Sequence, residues 1–461
     1  MNKKILILSF LSVLFLAAGP IRAAIGVTNL RTEQLKNPSG IDTHQPRLGW
    51  RIESNEQNVM QTAYHILVAS SPDLLAQGKG DMWDSGKVET DASQWITYQG
   101  ENLKRNAPYF WKVKVYTNKG ESDWSSPAFW SMGLFNEADW QGQWIGLDRA
   151  APGDSETQWS RLAARYLRKE FALKKEIKRA TVHIAGMGLY ELFINGQRIG
   201  DQVLAPAPTD YRKTILYNTY DVTSQLQQEN AIGVTLGNGR FYTMRQNYKP
   251  YKIPTFGYPK LRLNLIVEYA DGSKETIATN TSWKLTTEGA IRSNNEYDGE
   301  EYDARKELGN WTQSGYDDKS WIAAQRVSIP SGTLRAQIMP GMKVMDTLKP
   351  VSIQKLGDKY ILDFGQNMAG WMRFRIKGQA GDSIRLRFAE TLQANGELYT
   401  RNLRDARSTD TYIVSGREVK DTTWAPRFVY HGFRYVEVSN YPDAQLGDFV
   451  AEVVEDEMTH T

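Results

Sequence analysis

The sequence predicts an all-β protein built of three consecutive β-sandwich or jelly-roll domains. Short runs of alternating apolar and polar residues recur between Gly, Asn, Asp and Pro turns, the pattern of half-buried strands. Sustained 3.6-residue periodicity is scarce beyond the first two dozen residues. The length, 461 residues, suits about three domains of roughly 100–200 residues each, every one large enough to bury its own core.

At the N-terminus an apolar run over 5–18 (ILILSFLSVLFLAA) follows Lys3 and Lys4 and ends near Ala23 and Ala24, which predicts a secretory signal peptide over 1–23. The run is shorter than the ~20 residues of a spanning helix. The expectation is export to the periplasm or the extracellular space, with no membrane association after cleavage. Cysteine is absent, so the sequence offers no disulfide, no thiol nucleophile, no thiolate zinc site and no lipidated cysteine as anchor. The 56 basic residues exceed the 53 acidic ones only through Lys3, Lys4 and Arg22 of the leader. The remainder is balanced, which argues against nucleic acid or anionic lipid as partner and favours neutral ligands.

The first domain is expected over 24–137, with strands at 47–52, 64–69, 95–99 and 109–116. In the last of these Tyr109, Trp111, Val113 and Val115 share one face, and Trp50, Trp83 and Trp111 are expected core residues. A second domain is expected over 138–335, opening with an irregular connection over 140–163. Its strands are placed at 179–184, 189–194, 231–236, 261–269 and 275–278, with Asn195-Gly196 and Asp271-Gly272 as hairpin turns. Pro330, Gly332, Pro340, Gly341 and Pro350 mark 328–350 as a structure-breaking linker. A third sandwich over 336–461 follows, with strands at 360–364, 370–377, 383–389, 410–414 and 433–438.

Two segments are candidates for chemistry. Residues 296–303 (EYDGEEYD) hold five acids in eight positions. In an extended chain Glu296, Asp298 and Glu300 lie about 6.6–6.8 Å apart on one face, near the carboxylate separation of inverting glycosidases. The same oxygen density suits Ca²⁺, and a solvated acidic turn is the plainer alternative. The irregular, aromatic stretch over 237–258 is long enough to be functional. Its Arg240, Tyr242, Arg245 and Tyr248 combine flat rings with hydrogen-bonding groups, as a sugar-binding surface requires; an ordinary packed crossover is the alternative. His65 and His183 lie in strand-like runs and read as satisfied sheet residues. The chain has no G-x-S-x-G elbow, P-loop or dinucleotide fingerprint.

The segment Gly188-Leu189-Tyr190-Glu191-Leu192-Phe193-Ile194-Asn195-Gly196, continued by 204–206 (LAP), 209–211 (TDY) and 217–223 (YNTYDVT), resembles bacterial α-L-rhamnosidases. So do 362–371 (LDFGQNMAGW), 387–390 (RFAE), 401–404 (RNLR) and 409–412 (TDTY). Residues 83–86 (WDSG) and the 109–116 strand are similar to the fibronectin-type sandwich that often precedes these enzymes. The resemblance covers nearly all of the chain after the leader. It implies a fibronectin type III-like domain, then a jelly roll similar to a rhamnose-binding module, then a further sandwich. It also implies that the whole enzyme continues into a catalytic (α/α)₆ barrel, where a Glu acid and a Glu or Asp base invert terminal α-L-rhamnose. That barrel's acidic motif is not found in this sequence, so no catalytic residue is carried over. Some rhamnose-binding jelly rolls of the family recruit Ca²⁺, and Asp298, Glu300 and Asp303 are its candidate ligands on chemistry alone.

The expectation is thus the exported, non-catalytic N-terminal region of an α-L-rhamnosidase. It would serve as scaffold and as binder of rhamnose-containing glycans through Arg240, Tyr242, Arg245 and Tyr248, inactive by itself and requiring no cofactor. A free-standing glycan-binding or adhesion protein is the alternative from another class, and a glycosidase using the 296–303 acids is the third reading.

Overall fold

The computed structural model describes residues 25–457 apart from 153, 155–160, 243–255 and 405. The expected signal peptide lies outside the described residues. Strands dominate throughout, and among the described residues the one α-helix is the five-residue Pro72–Ala76. No helix there is long and apolar enough to cross a membrane.

The chain divides into two compact units. The first holds a three-stranded sheet, in which Arg47–Glu53 lies between Gly26–Thr32 and Ile96–Thr97, and a five-stranded sheet centred on Gln61–Ala69 and Pro108–Thr117. The alternation read from 109–116 holds residue by residue: Tyr109, Trp111, Val113 and Val115 are buried and the residues between them are not. Trp50 is buried beside them, its indole N–H donating to Gln61 Oε1 at 3.0 Å. Trp83 differs from expectation, being only half-buried and packed edge-on against Tyr98 at 5.5 Å. The strand expected over 95–99 is cut to Ile96–Thr97, because Trp95 takes a left-handed backbone conformation (φ +61°) that no strand accommodates.

The second unit begins with two sheets of a sandwich. Leu189–Ile194, Glu229–Gly237 and Arg165–Ala172 form the centre of one, and Lys260–Tyr269, Ile177–Met187 and Thr214–Asp221 the centre of the other. Their inward residues, among them Leu167, Val182, Leu192, Val234, Leu263 and Trp283, make one apolar core. Asn195 and Gly196 both have positive φ (50° and 83°), as the tight hairpin turn requires.

A ten-stranded sheet follows, organised around the 17-residue strand Lys359–Arg375 and its neighbours His431–Ser439 and Phe449–Asp456. Two of its strands, Ile291–Asn295 and Gly299–Asp303, come from sequence far upstream, and Gly299–Asp303 joins by parallel pairing with Thr409–Ile413. The 328–350 stretch is not an unstructured linker. Thr333–Ala336 pairs in parallel with Thr214–Asp221, and Met342–Leu348 forms the sheet edge beside Phe449–Asp456. Its prolines, Pro330, Pro340 and Pro350, fall outside these strands, where no ladder N–H is needed.

Candidate functional site

Glu229–Gly237 ends where the chain must pass close to its surroundings: a Cβ on Gly237 would lie 2.4 Å from the Phe428 ring. Asn238 then turns inward, its N–H donating to Asn294 Oδ1 and its amide to the Asn294 carbonyl, both at 2.7 Å. Gly239, at φ +48°, redirects the backbone so that the next side chain, Arg240, emerges toward solvent. Its Nε meets Glu296 Oε2 at 2.8 Å, and its guanidinium also donates to the hydroxyls of Tyr297 (3.4 Å) and Tyr430. Glu296 is mostly covered, and burial pushes its carboxyl above the usual range against the pull of Arg240. Its second oxygen, Oε1, has no hydrogen-bond partner among the described residues. A solvent-exposed guanidinium and two phenols thus converge beside a buried carboxylate, a set of hydrogen-bonding groups that fits sugar hydroxyls.

Of the other residues read as sugar contacts, Tyr242 is buried and stacked on Tyr258 at 5.5 Å, where it packs rather than presents a surface. Arg245 and Tyr248 lie outside the described residues.

The acidic run is not one extended face. Residues 296–298 are the turn of a hairpin whose strands pair at Asn295 and Gly299, so the alternation breaks there. Each acid has separate work. Glu296 holds Arg240, and Asp298 accepts from the Arg407 N–H at 3.2 Å. Glu300 accepts from the backbone N–H groups of Arg427 and Phe428 at 3.2 and 3.1 Å, and Glu301 pairs with Arg161. Asp303 caps the turn Ala304–Lys306 and grips Arg305 with both oxygens at 2.8 Å. Among the described residues no three His, Asp or Glu side chains gather as a metal site, and Asp298, Glu300 and Asp303 are not brought together.

Sequence reasoning missed the buried neighbours of this hairpin. Asp410 Oδ1 accepts from the Glu300 N–H at 2.9 Å and lies 3.0 Å from His431 Nε2, while His431 stacks on Phe388 at 4.1 Å and meets Ser408 Oγ through Nδ1 at 3.2 Å. Burial, then the Asp410 charge, raise the Glu300 carboxyl to about 8. No solvent reaches this group, so it supports the site rather than meeting a ligand. Arg427 ties the same segment outward, pairing with Glu191 at 2.7 Å. His183, as read from sequence, is a satisfied sheet residue between Thr219 and Asn106, held down to about 3 by burial.

Comparison with known proteins agrees along the chain. Residues 27–136 match the Rha78A-like, N-terminal immunoglobulin domain, 175–346 the alpha-L-rhamnosidase N-terminal domain, and 354–455 the bacterial alpha-L-rhamnosidase concanavalin-like domain. An alpha-L-rhamnosidase of Formosa agariphila is 37% identical over 439 residues, which is 89% of this chain and 46% of the relative. One of Alteromonas sp. is 33% identical over 421 residues, 90% of this chain and 45% of the relative. The alpha-L-rhamnosidase structure from Dictyoglumus thermophilum superposes with a TM-score of 0.85 at 39% identity, covering 94% of this chain and 48% of that one. That from Streptomyces avermitilis, complexed with L-rhamnose, gives 0.84 at 27% identity, covering 94% and 58%. The chain spans about half the length of the curated relatives it matches. The first domain matches an immunoglobulin-like profile, in the same two-sheet class as the fibronectin-type sandwich expected. With three successive profiles and its relatives in agreement, the chain carries the immunoglobulin-like, N-terminal and concanavalin-like β-domains of the bacterial α-L-rhamnosidase family.

Proposed function

We propose that this chain is the exported, non-catalytic β-region of an α-L-rhamnosidase, a scaffold that also binds rhamnose-containing glycan at Arg240. The observation that carries the reading is the Arg240–Glu296 pair, open to solvent on the arginine side and flanked by the Tyr297 and Tyr430 hydroxyls. Hydrogen bonds to charged groups contribute about 1.5–3 kcal/mol each. Arg240→Ala and Glu296→Gln are therefore expected to weaken binding of methyl α-L-rhamnopyranoside, titrated calorimetrically, by about tenfold or more. Unchanged affinity in both variants would sink the assignment. The reading needs no cofactor, and the same titration with chelator and with added Ca²⁺ is expected to give one curve.

The chain by itself is expected not to hydrolyse an aryl α-L-rhamnoside. Glycoside hydrolysis needs two oppositely tuned carboxyls across a shared cleft, whereas the acids of the hairpin are each held by a different partner. Turnover that survives purification and disappears in Glu296→Gln, Asp298→Asn or Glu300→Gln would defeat this. Export is tested by fractionation and by the mass of the processed N-terminus, expected to begin near Ala24.

A further inference from the structure

We propose that Trp95, on the immunoglobulin-like domain, is a separate carbohydrate subsite, a stacking platform for one neutral pyranose ring. Trp95 is 54% exposed, more than Phe129, Tyr399 or Tyr430. Core packing does not account for it. Its backbone is held at φ +61°, a region that bulky side chains avoid, so its ring is displayed in spite of a local conformational cost.

The ring is also held by a cation. The Arg47 guanidinium lies 4.4 Å from the ring centroid. Arg47 is itself locked: its Nε and terminal nitrogen donate to Glu33 Oε2 at 3.1 and 2.6 Å, and its backbone N–H donates to Glu33 Oε1 at 2.7 Å. Glu33 is almost wholly buried, with a side chain 4% exposed, and its own N–H returns a bond to the Arg47 carbonyl at 2.8 Å. A buried carboxylate therefore holds an arginine, which holds an indole that keeps half its surface exposed for a ligand. Such a platform is ordered before binding and loses little freedom on association.

The choice of occupant rests on the glycan-binding reading above and on the shape of the surface. A protein partner needs a contiguous patch of about 800 Å² on each side. Trp95 instead follows the exposed Gln94 in the chain and is two residues from the exposed Thr97, which lies directly across the sheet from Arg47. One apolar ring bordered by hydrogen-bonding groups suits the C–H face and the hydroxyls of a single sugar.

The test is affinity electrophoresis of the full chain through gels containing a soluble rhamnan or, in a second arm, xylan, which separates rhamnose from pyranoses in general. Trp95→Ala is expected to reduce retardation in the rhamnan gel by about two- to tenfold, with an unchanged melting temperature. Trp95→Phe is expected to retain part of it, and Trp95→Ala with Arg240→Ala to lose more than either alone. Loss in Arg240→Ala with none in Trp95→Ala would overturn this subsite and leave the Arg240 site standing; the converse would support it independently. Wild-type migration by Trp95→Ala in both gels overturns it. So does light scattering in which Trp95→Ala abolishes self-association while sugar retardation persists, since the platform would then serve a second copy.

Discussion

Glu300 is a carboxyl with nowhere to put a charge. Burial and the neighbouring Asp410 raise it to about 8, against the N–H groups of Arg427 and Phe428 and the Arg427 charge, which favour ionisation. Tyr166 stands near the same group, and His431 reaches it through Asp410. The folded acid is therefore raised above its ordinary 4.5 and keeps a proton that the unfolded chain releases. Its contribution to stability is fully present below about 4.5 and is lost as pH rises through about 8, with a slope approaching 1.4 kcal/mol per pH unit. Urea unfolding of the wild type is expected to show this decline between pH 5 and 8, and Glu300→Gln a flatter profile. Parallel profiles would contradict the assignment. Glu300→Ala is expected to cost about 1–3 kcal/mol at pH 5, because it leaves two buried N–H groups without an acceptor.

The hairpin Ile291–Asn295 and Gly299–Asp303 places Glu296 and Tyr297 at its tip and Glu300 in its buried arm. Its geometry depends on Gly299, where φ is +100° and an added Cβ would lie 2.2 Å from the Thr409 carbonyl oxygen. Both the conformation and the clash with backbone penalise any larger residue. Gly299→Ala is expected to destabilise by about 1–3 kcal/mol from conformation alone, with the clash adding to it, and to weaken glycan binding at Arg240 in the same protein. Chemical denaturation reads the first effect and calorimetric titration the second; neither changing would show that the turn tolerates a side chain. The segment over 425–430 makes the complementary contact, with Phe428 against Gly237, Arg427 on Glu191 and Tyr430 on Arg240.

For the whole molecule the far-ultraviolet circular dichroism of the purified chain is expected to show the single minimum of β-structure; a helical double minimum would contradict the fold. That outcome was legible in the sequence, because strand alternation is a local property. The side chains of 109–116 take alternate faces whatever lies elsewhere, and Asn-Gly supplies its turn from two residues. The family motifs were equally local, and Arg240 was visible as a cation in an irregular aromatic stretch. The partners were not legible. Glu300 meets Arg427 and Phe428 at separations of 127 and 128 residues, and Asp410 meets Glu300 across 110. Nothing within a strand-length window announces such pairings. The acidic run read as one extended face because period-two spacing holds only while the chain stays a strand, and the turn at 296–298 ends it. Composition and local periodicity by themselves determined that this chain folds as β-domains, and the resemblance of its local motifs named the family. Only the tertiary structure decided which acids ionise beside water, which are sealed from it, and which cation the tip of the hairpin meets, because burial and long-range contact set those energies.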